Sequence, residues 1–248
     1  MRAFFVALQF LTRIKLVNQT AWTEEDFGKS VLYFPFIGFI IGAILSFVYW
    51  ICSWIFPYTV TTLILVVSEF ILTGGIHADG FMDTCDGLFS GRERERKLEI
   101  MKDSRVGSFG VVGFVFLTLL KWQLLTVVPP FFMIPLLLCM PLLSRFSMIL
   151  SIRLFHYARP QGMGKAFADL SPSYTIWVGL IWALLPIIWF GHIYFIFLVA
   201  TVLINYLVNT YISHQLGGLT GDTYGFVTEF TELLLVAMYA GILFTWLD

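Results

Sequence analysis

The sequence predicts an all-α, polytopic membrane helix bundle of about seven transmembrane helices behind an N-terminal interfacial helix, and three observations carry that expectation. Of 248 residues, 58% are hydrophobic and only 12% charged, whereas soluble domains carry roughly 25% charged residues. Mean hydropathy is +0.85. Several apolar runs also reach the ~18–20 residues that a helix needs to cross a bilayer. A soluble fold could not bury so much apolar surface, and a net charge of −1 gives no electrostatic footprint for nucleic acid.

Residues 1–15 place Phe4, Phe5, Leu8 and Leu11 at helical spacing, with Arg2, Gln9, Thr12 and Arg13 between them. No small-residue cleavage site follows, so the segment reads as a retained interfacial helix rather than a signal peptide. Hydropathy then places spans near 31–56, 59–76, 107–128, 131–151, 174–190, 192–212 and 229–247. With the N-terminus inside, segments 77–106, 152–173 and 213–228 share its side, and the opposite turns shrink to Pro57-Tyr58, Pro129-Pro130 and Gly191. All but Lys121 and Arg145 of the fifteen Lys and Arg residues fall in or beside the inside segments. The positive-inside rule therefore orients the chain in a bacterial or archaeal cytoplasmic membrane with those segments in the cytoplasm. Cys52, Cys85 and Cys139 show no CxxC spacing and predict neither a disulfide framework nor zinc. Without repeats or linkers, residues 1–248 form one domain with an acidic motif loop at 74–106 and a second site loop at 213–232.

The chemistry concentrates after the second span, in Gly74-Gly75-Ile76-His77-Ala78-Asp79-Gly80-Phe81-Met82-Asp83-Thr84-Cys85-Asp86-Gly87. Asp79, Asp83 and Asp86 are spaced i, i+4, i+7, so a helix continuing from the span presents three carboxylates on one face. Three like charges at a membrane edge repel unless a divalent cation joins them. Mg²⁺, as one or two ions, prefers such oxygens and shares its shell with substrate phosphates. His77 is expected to shuttle a proton or bind phosphate.

Further on, residues 91–105 alternate Arg and Glu around an apolar seam at Leu98 and Met101, mostly a solvated helix face with i,i+4 pairs such as Glu93–Lys97. Asp103 is the fourth acidic candidate, with Lys102 and Arg105 as phosphate clamps. Gly217, Gly218, Gly221 and Gly225 allow a backbone to approach phosphate or ribose, placing Asp222, Glu229 and Glu232 in the substrate-binding set with Gly80, Gly87 and Arg159. Glu69, Lys121 and Arg145 fall inside predicted spans, where Glu69 is expected to form a structural pair with Lys121 or Arg145.

These motifs resemble the cobalamin synthase family, the adenosylcobinamide-GDP ribazoletransferases. The resemblance runs nearly end to end: Phe10-Leu11-Thr12-Arg13, the run from Thr73 to Gly87, the run from Leu98 to Gly107, and Gly217 to Asp222 with Glu229 and Glu232. It implies that α-ribazole, through its ribose 5′ oxygen, or α-ribazole 5′-phosphate displaces GMP from adenosylcobinamide-GDP, with a Mg²⁺ requirement. Asp79, Asp83 and Asp86 would hold the metal, and Asp103 or His77 would take the proton. A weaker resemblance exists to the CDP-alcohol phosphotransferases. Asp83-x2-Asp86-Gly87 fits their pattern, but Glu95, Glu99 and Asp103 stand where that family has Gly and two Asp.

Two rival classes share some of these features. A phospholipid-type phosphotransferase would release CMP from a CDP-activated lipid. A divalent-cation transporter would line a midplane pathway with acids, yet here only Glu69 is deep. Substrates and membrane lipid are the partners expected, and the oligomeric state stays open.

Overall fold

The computed structural model describes residues 2–18 and 21–247, and its architecture is a helical membrane bundle. Twelve α-helices follow in order: α1 (Arg2–Leu11), α2 (Glu24–Ser30), α3 (Phe34–Ile55), α4 (Tyr58–Thr73), α5 (Ile76–Phe89), α6 (Arg94–Ile100), α7 (Ser108–Val127), α8 (Pro130–Leu154), α9 (Met163–Leu170), α10 (Thr175–Leu184), α11 (Ile187–Leu216) and α12 (Gly221–Leu247). Among the described residues the only β pairing is an isolated bridge between Tyr157 and Leu219.

Among the described residues, five helical stretches are long and apolar enough to cross a membrane, or six if the bent pair α4–α5 counts as one. The expected count of seven is therefore not confirmed among the described residues. The difference lies at 174–190, where α10 stops at Leu184 before Leu185-Pro186, and Gly191 breaks the backbone near the start of α11 with φ 67°. Proline lacks the N–H that would continue the helix, and a positive φ is accessible to glycine at little cost.

Helix α8 is the axis, with 78% of its most apolar window buried. α3 lies directly on it because Gly38 and Gly42, four apart on one face, bring its backbone against that of Leu137 to Leu142. This is the small-xxx-small device that lets membrane helices approach without large side chains between them. The expected N-terminal helix exists as α1, and Val6, Ala7, Leu8 and Leu11 are buried in the bundle. Its partner α2 starts with a capping box in which Thr23 and Asp26 satisfy each other's backbone amides.

The decisive feature for function is a corner. Gly74 and Gly75 both adopt left-handed backbone conformations (φ 66° and 72°), and α5 leaves α4 at 92°. The Arg13 backbone amide donates to Leu72 O at 2.7 Å and its side chain to Gly74 O at 3.3 Å, tying the N-terminal segment to this bend. The acidic motif thus does not continue the α4 axis, as the sequence reading expected, but turns across the bundle end toward α12.

Candidate active site

Helices α1, α5, α8, α9 and α12 assemble the site. Glycines let α5 and α12 touch backbone to backbone: a Cβ on Gly80 would lie 2.6 Å from Asp222 O, and one on Gly225 3.0 Å from His77 O. Phe81 stacks on Phe226 with ring centroids 4.9 Å apart, locking the same contact. Helix α12 begins with a reciprocal cap, in which Thr223 Oγ1 accepts from Thr220 N (2.8 Å) and Thr220 Oγ1 accepts from Thr223 N (3.3 Å). The chain after α8 then pairs with this start, Ala158 N donating to Leu219 O and Leu219 N to His156 O, both at 2.7 Å. That pairing delivers Arg159, whose Nη1 lies 2.8 Å from Asp222 Oδ2.

The result is a cleft of about 180 Å³ whose lining includes His77, Asp79, Gly80, Gly221, Asp222 and Gly225 together with the apolar or aromatic Phe10, Met148, Met163, Phe167 and Tyr224. Asp83, on the same stripe of α5 as Asp79, feels the negative charges of Asp79, Asp222 and Asp86, opposed by Arg159. Asp79 therefore meets a second acid, Asp222, paired with one guanidinium, and Asp83 lies in electrostatic reach of them. Helix α12 also points its N-terminus here, where unsatisfied amides favour anions. Tyr157, which the sequence reading passed over, packs beside the Gly221 turn, since a Cβ on Gly164 would lie 2.7 Å from its ring and 3.0 Å from Gly221 N. Only its place two residues before Arg159 hinted at this.

Several expected site residues lie elsewhere. Asp86 is buried and both its oxygens are committed, Oδ2 to Gly107 N (2.7 Å) and Oδ1 to Gly110 N (2.8 Å), so it caps the start of α7 instead of standing free for a metal. Gly87 allows α6 to approach, since a Cβ there would lie 2.5 Å from the Met101 side chain. Asp103 and Arg105 bind each other, with Arg105 N, Nε and Nη2 donating at 3.0, 3.1 and 2.8 Å, and both are exposed and away from the cleft lining. That guanidinium holds the Asp103 carboxyl down to about 2. Lys102 is exposed beside them. Instead of pairing with Glu93, Lys97 is buried and donates to Gln215 at 2.5 Å, joining α6 to α11.

Glu229 and Glu232 also leave the substrate-binding set. Lys121 Nζ lies 2.7 Å from Glu69, 3.6 Å from Glu229 and 2.5 Å from Glu232, while Arg145 and Ser144 also bind Glu232. The expected Glu69 pair is therefore with Lys121, at the hub of a buried ion network that joins α4, α7, α8 and α12. A charge placed in apolar surroundings needs such partners. His77 lines the cleft, yet its imidazole is buried with Nε2 unpaired, and its charged neighbours are Arg145, Glu232 and Lys121 rather than the aspartates.

As the side chains stand, no three His, Cys, Asp or Glu residues among the described ones enclose a metal position. The donor chemistry nonetheless suits Mg²⁺, which takes one or two carboxylates and fills the rest of its shell with water and substrate phosphate. Asp79, Asp83 and Asp222 are the carboxylates left for it. A larger cavity of about 510 Å³, bounded by Phe131, Trp189, Tyr194 and Tyr239, is almost wholly apolar and holds none of the predicted residues.

Comparison with known proteins adds to this geometry. Residues 3–240 match the family described as cobalamin-5-phosphate synthase. Proteins named adenosylcobinamide-GDP ribazoletransferase are similar nearly end to end. The one from Desulfitobacterium hafniense is 42% identical over 95% of both chains, that from Clostridium acetobutylicum 37% over 98% of both, and that from Thermoanaerobacter pseudethanolicus 32% over 96% of both. No solved structure matches.

Proposed function

Because the chain belongs to the cobalamin-5-phosphate synthase family, we propose that it transfers the corrinoid phosphate of adenosylcobinamide-GDP to α-ribazole or its 5′-phosphate, releasing GMP, at the cleft between α5 and α12. The observation that carries this reading is the meeting of Asp79 with the Asp222–Arg159 pair at the start of α12, with Asp83 in electrostatic reach. Carboxylates alone repel a diphosphate; carboxylates with a divalent cation and a guanidinium grip one.

In the reaction, an acceptor hydroxyl forms a new P–O bond to the phosphorus that bears the corrinoid. The bridging P–O bond to GMP breaks, and GMP leaves with its electron pair. The hydroxyl proton passes to a carboxylate or water in the cleft. The family description names a 5-phosphate product, which favours a ribose hydroxyl other than the 5′ one as nucleophile, because that oxygen already carries phosphate. This replaces the 5′ oxygen of the sequence reading.

Asp79 and Asp83, with Asp222, would hold Mg²⁺. The ion would neutralise charge developing on the diphosphate. Arg159 clamps a phosphate oxygen while restraining Asp222, and the Gly221 turn brings backbone amides within reach. The basic residues crowding the segments around the cleft favour a cytoplasmic site, the compartment that supplies guanosine nucleotides. The CDP-lipid and transporter readings have no observation of their own here.

Purified protein in detergent, given adenosylcobinamide-GDP and α-ribazole or its 5′-phosphate, should release GMP and form a corrinoid that carries the acceptor in place of the departed GMP. Release of CMP from a CDP-activated lipid, with no reaction of the corrinoid, would reverse the assignment.

A further inference from the structure

The lining of the cleft is of two kinds. Asp79, Asp222 and Gly221 offer charge or bare backbone, whereas Phe10, Met148, Met163 and Phe167 are apolar. We propose that these apolar residues are the seat of the acceptor's flat aromatic base, with Met163 as its movable edge and the Tyr224 hydroxyl as its one polar contact. The inference rests on the transferase reading and adds which substrate the apolar residues take.

Three observations lead there. Phe167 is buried and fixed by edge-on packing with Phe10, Phe27 and Phe34 at centroid distances of 5.0, 5.9 and 5.6 Å, which makes a rigid surface for a ring to lie on. Tyr224 lines the same cleft, is only 3% exposed, and its hydroxyl has no partner. An orphaned buried hydroxyl is costly, and a ligand acceptor is a direct remedy. Met163, by contrast, is 53% exposed at the start of α9, and its unbranched thioether can fold over an incoming ring. Gly164, which also lines the cleft, lets α9 pack close to its polar residues: a Cβ there would lie 2.7 Å from the Tyr157 ring and 3.0 Å from Gly221 N.

Chemistry then chooses between the two bases that the reaction brings in. Guanine presents ring-nitrogen and carbonyl acceptors and amino donors along its edges. Two phenylalanines and two methionines would leave most of them unpaired. An apolar-edged bicyclic base with a single ring-nitrogen acceptor loses nothing against those residues and meets the Tyr224 hydroxyl. Its ribose then falls beside Asp79 and Asp222, where the diphosphate is held. Guanine, and the corrin ring that this small cleft cannot contain, approach from outside.

The test uses the full-length protein in detergent and reads acceptor binding and turnover separately. By calorimetry without donor, α-ribazole should bind the wild type, and Met163→Ala and Tyr224→Phe should each weaken that binding about tenfold. In turnover, the same variants should raise the KM for α-ribazole and leave the KM for adenosylcobinamide-GDP unchanged. Met163→Trp should shift kcat/KM toward nucleosides with a smaller base, a change that simple loss of packing would not produce. The inference is overturned if the donor KM rises while that of the acceptor stays fixed, if both stay fixed, or if the wild type fails to bind α-ribazole. Acceptor binding by a wild type that releases no GMP would instead remove the transferase reading and leave the seat standing.

Discussion

Arg159 Nη1 sits 2.8 Å from Asp222 Oδ2, joining the loop after α8 to the start of α12, and the guanidinium's Nε and Nη2 are buried with no partner. An arginine with spare buried donors beside a cluster of carboxylates is placed both to restrain one acid and to receive a phosphate oxygen. Arg159→Ala should lower turnover roughly 10²-fold, the scale of losing one charged donor to a developing oxyanion. Arg159→Lys should recover only part, because an ammonium cannot serve two acceptors in a plane. Steady-state kinetics on both variants check this, and full recovery by lysine would reduce Arg159 to a point charge.

Asp86 contributes to folding rather than to chemistry. In Asp86→Asn one amide N–H of α7 must face a side-chain NH₂, so a buried donor loses its acceptor. The expected loss of stability is about 1–3 kcal/mol, read as a lower unfolding temperature in detergent. Turnover per folded molecule should stay within a few-fold of the wild type.

Lys121 balances three buried carboxylates, Glu69, Glu229 and Glu232. Lys121→Met removes the hub and leaves those charges facing one another, which should destabilise the bundle by about 3–5 kcal/mol. Thermal unfolding measures it, and unchanged stability would mean that the network is not charged as drawn.

Asp103 gives a pH prediction. Arg105 holds its carboxyl down to about 2, from an ordinary value of 3.8. A depressed carboxyl contributes its pairing above the ordinary value and loses it as pH falls toward 2. It stays ionised throughout the working range and cannot be a base that titrates near neutrality. Asp103→Asn should therefore leave the kcat/KM profile between about pH 5 and 8 superimposable on that of the wild type. Loss of one limb of the profile would return Asp103 to the cleft.

Much of this was legible in the sequence where the signal was local. The i, i+4 spacing of Asp79 and Asp83 gave a shared face, and the ionisable residues inside predicted spans gave a Glu69 pair with Lys121 or Arg145, of which the structure makes the Lys121 one. What escaped depended on contacts distant in sequence. The adjacent Gly74 and Gly75 could have signalled a corner, but not the 92° turn that sends Asp86 to the start of α7 and Asp79 to α12. Arg105 follows Asp103 so closely that it consumes the carboxylate it was expected to complement. Glu229 and Glu232 read as edge residues because hydropathy starts the last span at 229, whereas α12 begins at Gly221 and carries both into the interior. Gly38 and Gly42 drew no expectation from the sequence, because their close approach to Leu137 to Leu142 is a contact distant along the chain.

The most direct test is Mg²⁺-dependent GMP release by the wild type and by Asp83→Asn, with folding verified by matching unfolding curves. The cleft geometry predicts turnover that vanishes without divalent cation and falls roughly 10³-fold in the variant. Wild-type turnover from folded Asp83→Asn, or full activity of the wild type in chelator, would contradict it.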